Sequence, residues 1–229
     1  MVVVNAAGLF AGLALLLVGA DRTVRSAAEL ALYYGVSTFF VGVTVISVGT
    51  SIPEMTTSVY AATYGAGDLL VGNIVGSETA QITLAIGIVA LISPIAAERR
   101  NVLIYGGAMV LAMVIMILTL EDGITRSEGV LMMLAYLMFI HDLYSTEGGE
   151  GISVGSLLGS NITDPVFSLG VGALVADVTL ADPAAVAASV TYMLVVSLVV
   201  LGLLYWRRGI GRRSALVCML LYLPSLALF

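Results

Sequence analysis

Residues 71–91 read VGNIVGSETAQITLAIGIVAL, and residues 154–174 read VGSLLGSNITDPVFSLGVGAL. Aligned without a gap, the segments agree at seven of 21 positions, including the V-G-x-x-x-G-S that opens each. Apolar helices share letters by chance, but Gly and Ser at fixed spacing have specific packing roles. Each segment is also about as long and apolar as a membrane crossing requires, roughly 20 residues. The pair therefore reads as an internal repeat of a membrane protein.

Working outward, apolar runs occupy 2–20, 26–48 (continuing after a break to about 65), 69–92, 101–120, 127–144, 153–176, 184–206 and 213–229. These predict eight transmembrane helices with short connections, hence an all-α polytopic membrane fold in one membrane domain, 1–229. Five spans fall in 1–144 and three in 145–229. Composition agrees: 60 % of the 229 residues are hydrophobic and 10 % charged, against roughly 45–50 % and about 25 % in soluble domains. That excludes a soluble enzyme, a disordered chain and a nucleic-acid binder. The first run lacks a basic leader and an obvious cleavage site, so it reads as a span rather than a signal. Cys218 is the one cysteine and forms no internal disulfide. No GxxxxGK[ST] loop is encoded, so nothing in the sequence points to nucleotide binding, and no cofactor is expected.

All nine basic residues are arginines. Arg22, Arg25, Arg99, Arg100, Arg207, Arg208, Arg212 and Arg213 fall in alternate connections, and only Arg126 falls on the opposite side. The positive-inside bias makes those alternate connections cytoplasmic and puts both termini outside, in a cell-membrane protein. An odd number of spans separates the two repeat starts, so the copies run in opposite directions. Inverted repeats of this kind build many secondary transporters, with the binding site near the bilayer midplane.

Polar residues inside the spans mark where chemistry belongs, because a carboxylate at mid-bilayer costs at least a few kcal/mol. Glu54 sits in VGTSIPEMTTS, from Val48 to Ser58. Pro53 offers no N–H and Gly49 permits a turn, so the helix is expected to open there. The freed carbonyls and the Thr50 and Ser51 hydroxyls would then line an oxygen-rich site, with Glu54 supplying charge. Hard cations such as Na⁺ and Ca²⁺ take this donor set. Asp164, beside Pro165 in the second copy, is also mid-span, with Ser160 one turn earlier on the same face. The first copy has Ser77, Glu78 and Gln81 at equivalent places. Ser77 and Gln81 share a face, while Glu78 lies about 100° from Ser77 and points either into the cavity or elsewhere. Gly72 and Gly76 have the GxxxG spacing of close helix packing, and Asn73 either lines the pathway or bonds across a helix contact.

GTSIPE at Gly49–Glu54, GNIVGSE at Gly72–Glu78 and GSNITD at Gly159–Asp164 resemble the repeat motifs of the sodium/calcium exchanger family. The resemblance covers the chain in order and implies a fold related to that family's ten helices in two inverted halves. It implies Glu54 as a Ca²⁺ ligand with carbonyl oxygen from Thr50, cation-lining positions at Thr50, Ser51, Ser77 and Ser160, and an acidic position at Asp164 with Gln81 as its counterpart. The implied activity is Na⁺/Ca²⁺ antiport by alternating access in a lipid bilayer, with no enzyme chemistry. Two departures stand out. The second copy lacks a preceding GTS-P-E helix, which reads either as two spans omitted near 147–152 or as a natural eight-span exchanger, and Glu78 stands where the family more often has Asn. Glu78 restores a carboxylate or turns ion choice toward H⁺. A proton-coupled cation antiporter and a non-transporting degenerate membrane protein are the competing readings.

Overall fold

The computed structural model describes residues 47–120, 123–145 and 152–227, with scattered positions between 8 and 35. The expected span at 2–20 and most of that at 26–48 lie outside the described residues. The described chain forms α1 (Ser47–Thr50), α2 (Ile52–Thr63), α3 (Gly67–Ala80), a π-helical turn π1 (Gln81–Ala85), α4 (Ile86–Ile92), β1 (Ile95–Ala96), α5 (Arg99–Thr119) and α6 (Arg126–Ser145). It continues as α7 (Ile152–Thr163), a second π-helical turn π2 (Asp164–Ser168), α8 (Leu169–Val175), α9 (Pro183–Arg207), β2 (Gly209–Ile210) and α10 (Arg212–Leu220), closing with a 3₁₀ turn at Leu223–Ala227. The fold is all-α, as the sequence predicts. Among the described residues, 67–92, 99–119 and 183–207 are helical, long and apolar enough to cross a membrane.

Local chemistry sets several ends. Thr125 and Glu128 form a capping box at the start of α6: Thr125 Oγ1 accepts from the Glu128 N–H at 3.3 Å, and Glu128 Oε2 accepts from the Thr125 N–H at 2.8 Å. Asp182 caps α9 by accepting from the Ala185 N–H at 3.0 Å, ahead of Pro183 at a position that needs no donor. The last element corrects the sequence reading. Instead of one span over 213–229, α10 stops at Leu220 and the chain turns before the short 3₁₀ segment containing Pro224. Proline disfavours helix in the residue before it and removes a donor, which ends the run early.

The packing has an internal symmetry with the register of the sequence repeat, 83 residues. An 83-residue shift carries α3, π1, α4, α5 and α6 onto α7, π2, α8, α9 and α10. It also exchanges their packing partners. α5 packs on α7 as α9 packs on α3, and α6 packs on α8 as α10 packs on α4. The close approaches follow the same register: Gly170 lies against Met132, and Gly87 against Ala215 and Met219. The copies run in opposite directions. Asp68, at the start of α3, accepts from the Ala181 and Asp182 N–H groups (2.9 and 3.2 Å) just beyond the end of α8. At that same end Ile124 pairs with Val178. At the other end β1 pairs antiparallel with β2, joining Ile95 to Ile210. The connections therefore gather at two opposite ends as the arginine alternation predicts. The α1–α2 pair packs on α3, α7, π2 and α8, and no described helix holds the symmetry-related place.

The core runs along α3, α5, α7–α8 and α9, filled by Leu70, Ile74, Met109, Met113, Met116, Leu158, Leu169 and Met193, all fully buried. Leu103, Leu111, Leu118, Leu137 and Met138 face outward with more than half their surface exposed, the inside-out pattern suited to lipid contact. Among the described residues, no atom lies within 4 Å of a Cβ built on Gly72 or Gly76, and their face borders a cavity shared with Tyr222 and Ser225. Gly67 is the tight position: a Cβ there would meet the Thr179 carbonyl oxygen at 2.1 Å. Gly67→Ala is expected to push α3 off the 176–182 connection and to cost about 1–3 kcal/mol, read as a lower unfolding temperature in detergent. An unchanged temperature would refute this contact.

Candidate functional site

The helix expected to open at Pro53 does break, but over a single residue. Ser51 separates α1 from α2, and its N–H reaches the carbonyls of Ser47 (3.0 Å) and Val48 (3.2 Å). Pro53 has no N–H to return to the Gly49 carbonyl. Ser51 is buried at the break, whereas Thr50 is exposed and its hydroxyl donates to the Ser47 carbonyl at 2.9 Å. Ser77 likewise donates to the Ile74 carbonyl at 3.0 Å. Each proton is thus engaged within its own helix, and the oxygen lone pairs stay available.

The two π turns occupy equivalent repeat positions, each closed by an i→i−5 bond: the Ile86 N–H reaches Gln81 O, and the Leu169 N–H reaches Asp164 O. In π2 the cause is written in the sequence, since Pro165 leaves the Asn161 carbonyl without its helical donor. In π1 no proline is present. There the Thr79 and Thr83 hydroxyls donate back to the Val75 and Thr79 carbonyls, a habit that loosens and bends the helical ladder. Such bulges recur at functional sites because they re-aim side chains.

Here they aim Gln81 and Asp164 at one another. Gln81 Nε2 donates to Asp164 Oδ2 at 3.5 Å, and Gln81 Oε1 accepts from Ser160 Oγ. Two repeat-equivalent residues in contact must lie beside the axis that relates the copies, so this bridge marks the centre of the molecule. Ser168, one turn beyond Asp164, donates to Asp164 Oδ1 at 3.2 Å. The Ser51 hydroxyl also acts on Asp164, although its geometry does not close a hydrogen bond. Asp164 is fully buried and both of its oxygens are engaged.

Glu78 is the contrast. It is fully buried, and among the described residues neither carboxylate oxygen has a hydrogen-bond partner. Of the two orientations open to it, the structure takes the inward one, within electrostatic reach of Asp164 and Glu54. Glu54 is partly buried, and its Oε2 is enclosed without a partner among the described residues. Among the described residues no arginine acts on these three carboxylates. An uncompensated buried charge costs several kcal/mol, so this trio calls for a cation or a proton.

Among the described residues, no group of three Asp, Glu, His or Cys is gathered tightly enough to hold a metal ion on those side chains alone. The arrangement offers instead a mixed oxygen set of carboxylates, hydroxyls and the Gln81 amide, which suits a hard cation. Glu54, Glu78, Gln81, Ser51, Ser160 and Asp164 come together, whereas the Thr50 and Ser77 hydroxyls turn back on their own helices. Sequence reasoning missed Ser168, although its i+4 spacing from Asp164 announces a shared face. It also missed Asn161, fully buried at the position equivalent to Glu78.

Comparison with known proteins agrees with this architecture. A family model described as sodium/calcium exchanger protein matches residues 4–145 and again 143–229. The membrane protein MJ0091 of Methanocaldococcus jannaschii is 34 % identical over 143 residues, 61 % of this chain and 46 % of that protein. The sodium/calcium exchanger MaX1 of Methanosarcina acetivorans is 42 % identical over 98 residues, 43 % of this chain and 28 % of its own length. The chain thus spans less than half the length of these curated relatives. The solved sodium/calcium exchanger from Methanococcus jannaschii superposes with a TM-score of 0.77 at 24 % identity, covering 99 % of both chains. At that identity the likeness speaks to the fold.

Proposed function

We propose that this chain, which belongs to the sodium/calcium exchanger protein family, is an antiporter that exchanges Na⁺ for Ca²⁺ across the cell membrane by alternating access. The observation that carries the reading is Glu78: a fully buried carboxylate with no donor on either oxygen among the described residues, within electrostatic reach of Glu54 and Asp164 between two inverted repeats. Such a group is stable as a charge only with a cation beside it. Ca²⁺ takes six to eight oxygens, and Na⁺ accepts a related set. Their occupancy of one site is mutually exclusive, which makes the flux of one ion depend on the gradient of the other.

In this reading Glu54 and Glu78 carry the charge that meets the ion. Ser51, Ser160, Thr50 and Ser77 supply neutral oxygens. Gln81 holds Asp164, so the two copies are bridged at their axis. Residues 1–144 form one half and 145–229 a partial second half. The arginine-rich connections face the cytoplasm and the termini face outward. The same Glu78 also favours a second reading, proton coupling, because an unpartnered carboxylate holds a proton as readily as it meets a cation. The place opposite α1–α2, filled by no described helix, favours a third, a membrane protein that binds ions without transporting them.

The test is uptake of radiolabelled Ca²⁺ into proteoliposomes of the full chain. Na⁺-loaded vesicles are expected to accumulate Ca²⁺, and replacing internal Na⁺ by choline is expected to abolish uptake. Uptake that follows a pH gradient without Na⁺ selects proton coupling. Absence of flux under every gradient, from protein that is folded, selects the third reading.

A further inference from the structure

The connection between α9 and α10 carries Arg207, Arg208, Arg212 and Arg213 in the stretch RRGIGRR. Its backbone is sharply reversed. Arg208 adopts a left-handed conformation (φ 55°), followed by Gly209 at φ 148°. A Cβ on Gly209 would come within 2.2 Å of the Ile95 carbonyl oxygen, so the turn lies flat against β1. The reversal sets the end of α9 beside the start of α10, over a cavity of about 500 Å³ lined by all four arginines. Arg207 Nη1 donates to Ser214 Oγ at 3.4 Å. Among the described residues, none of the four arginines meets a carboxylate.

The start of α10 contradicts ordinary helix electrostatics. A helix N-terminus bears a partial positive charge and unsatisfied N–H groups, and favours acidic residues. This one has no acidic residue in its first turn and no side-chain cap, and carries Arg212 and Arg213 there instead. An anion in the cavity would satisfy the N–H groups and the guanidinium groups together. The surroundings say which anion. Leu216 and Val217 lie one turn along α10 from Arg212 and Arg213 on the same faces, with Leu220 a turn further. All three are exposed, at 54 %, 45 % and 63 %. Trp206 beside the cavity is 77 % exposed, and Arg99 stacks over Tyr205 at 5.1 Å. Charge thus meets an apolar wall and an aromatic rim, as at a membrane–water interface.

We propose that this cavity binds the phosphate headgroup of an anionic phospholipid, its acyl chains lying along Leu216, Val217 and Leu220. Basic pockets of this kind at the cytoplasmic end of transmembrane helices suit such headgroups. The inference rests on the membrane placement of the chain and is independent of what it transports.

The test uses the full chain purified in detergent, with lipid retention read by native mass spectrometry. Phosphatidylglycerol, phosphatidylcholine and inorganic phosphate are compared as ligands. Phosphatidylglycerol is expected to be retained, phosphatidylcholine at least tenfold less, and inorganic phosphate is expected not to displace the retained lipid at equal concentration. Arg212→Gln/Arg213→Gln is expected to weaken retention at least tenfold. Arg100→Gln removes a charge from the same end outside the cavity and is expected to stay within twofold of the parent. If the first pair fails to fold, Arg213→Gln is compared with Arg100→Gln. Equal weakening by both variants, equal retention of the two lipids, or displacement by inorganic phosphate would overturn the proposal.

Discussion

Replacing Glu78 with Gln is expected to abolish Ca²⁺ binding while leaving the empty protein at least as stable as the parent. The two effects have one cause. Glu78 is buried and its oxygens have no donors among the described residues, so its charge is uncompensated until a cation arrives. Glutamine keeps the volume and removes that cost, which is several kcal/mol for a charge withdrawn from water. The cation loses a full charge of its site. At an effective dielectric near 20, one pair of unit charges at 4 Å is worth about 4 kcal/mol, and a divalent ion doubles the Coulomb term. A loss of at least about 100-fold in Ca²⁺ affinity follows even after most of that is offset by rehydration. The readout is the unfolding temperature with and without Ca²⁺. The parent is expected to shift upward on Ca²⁺ addition, as ligand linkage requires. Glu78→Gln is expected to start no lower and to show no shift. A variant that starts several degrees lower and still shifts with Ca²⁺ would make Glu78 a packing residue.

Glu54→Gln is the second large effect, and it separates the ions. Glu54 lies beside the single-residue break at Ser51, with one oxygen enclosed and unpartnered. In the proposed site its carboxylate brings charge to the ion from the α1–α2 side, within electrostatic reach of Glu78 on α3. Removing it weakens a divalent ion about twice as much, in free energy, as a monovalent one. Ca²⁺ uptake into Na⁺-loaded proteoliposomes is therefore expected to fall at least about 100-fold, with Na⁺ affinity reduced about tenfold. Uptake within twofold of the parent would remove Glu54 from the site. Asp164→Asn provides a useful contrast. Gln81 and Ser168 already engage both Asp164 oxygens, so its loss disturbs the bridge between the copies as well as the charge.

Much of the fold was legible because membrane spans announce themselves by length and polarity. The helices at 67–92, 99–119 and 183–207 begin and end within two residues of the expected spans. The inverted pairing followed from the repeat and from counting spans, and Asp68 against Ala181 and Asp182 bears it out. Hydropathy failed where local backbone chemistry decides. The run at 213–229 is mostly apolar, yet the helix ends at Leu220 ahead of Pro224. Gly72 and Gly76 have the spacing of a packing motif, yet no described residue packs within 4 Å of either, because spacing does not say which neighbour is present.

The site was half legible for similar reasons. Glu54, Asp164 and Ser51 were visible as polar residues in apolar runs beside proline. The π turn at Gln81–Ala85 has no proline to announce it, and without that turn the contact between Gln81 and Asp164 has no sequence signature. Glu78 had two permitted directions on an ideal helix, and only the packing of π2 on α3 settles which one it takes.

In the proposed site a hard cation sits between Glu54 and Glu78. The most direct measurement is anomalous X-ray scattering from crystals of the full chain equilibrated with Sr²⁺ in place of Ca²⁺. The predicted result is one peak with carboxylate oxygens of both Glu54 and Glu78 within about 2.6 Å, absent in Glu78→Gln. A peak that persists in Glu78→Gln, or Sr²⁺ found only at exposed carboxylates at the helix ends, would contradict it.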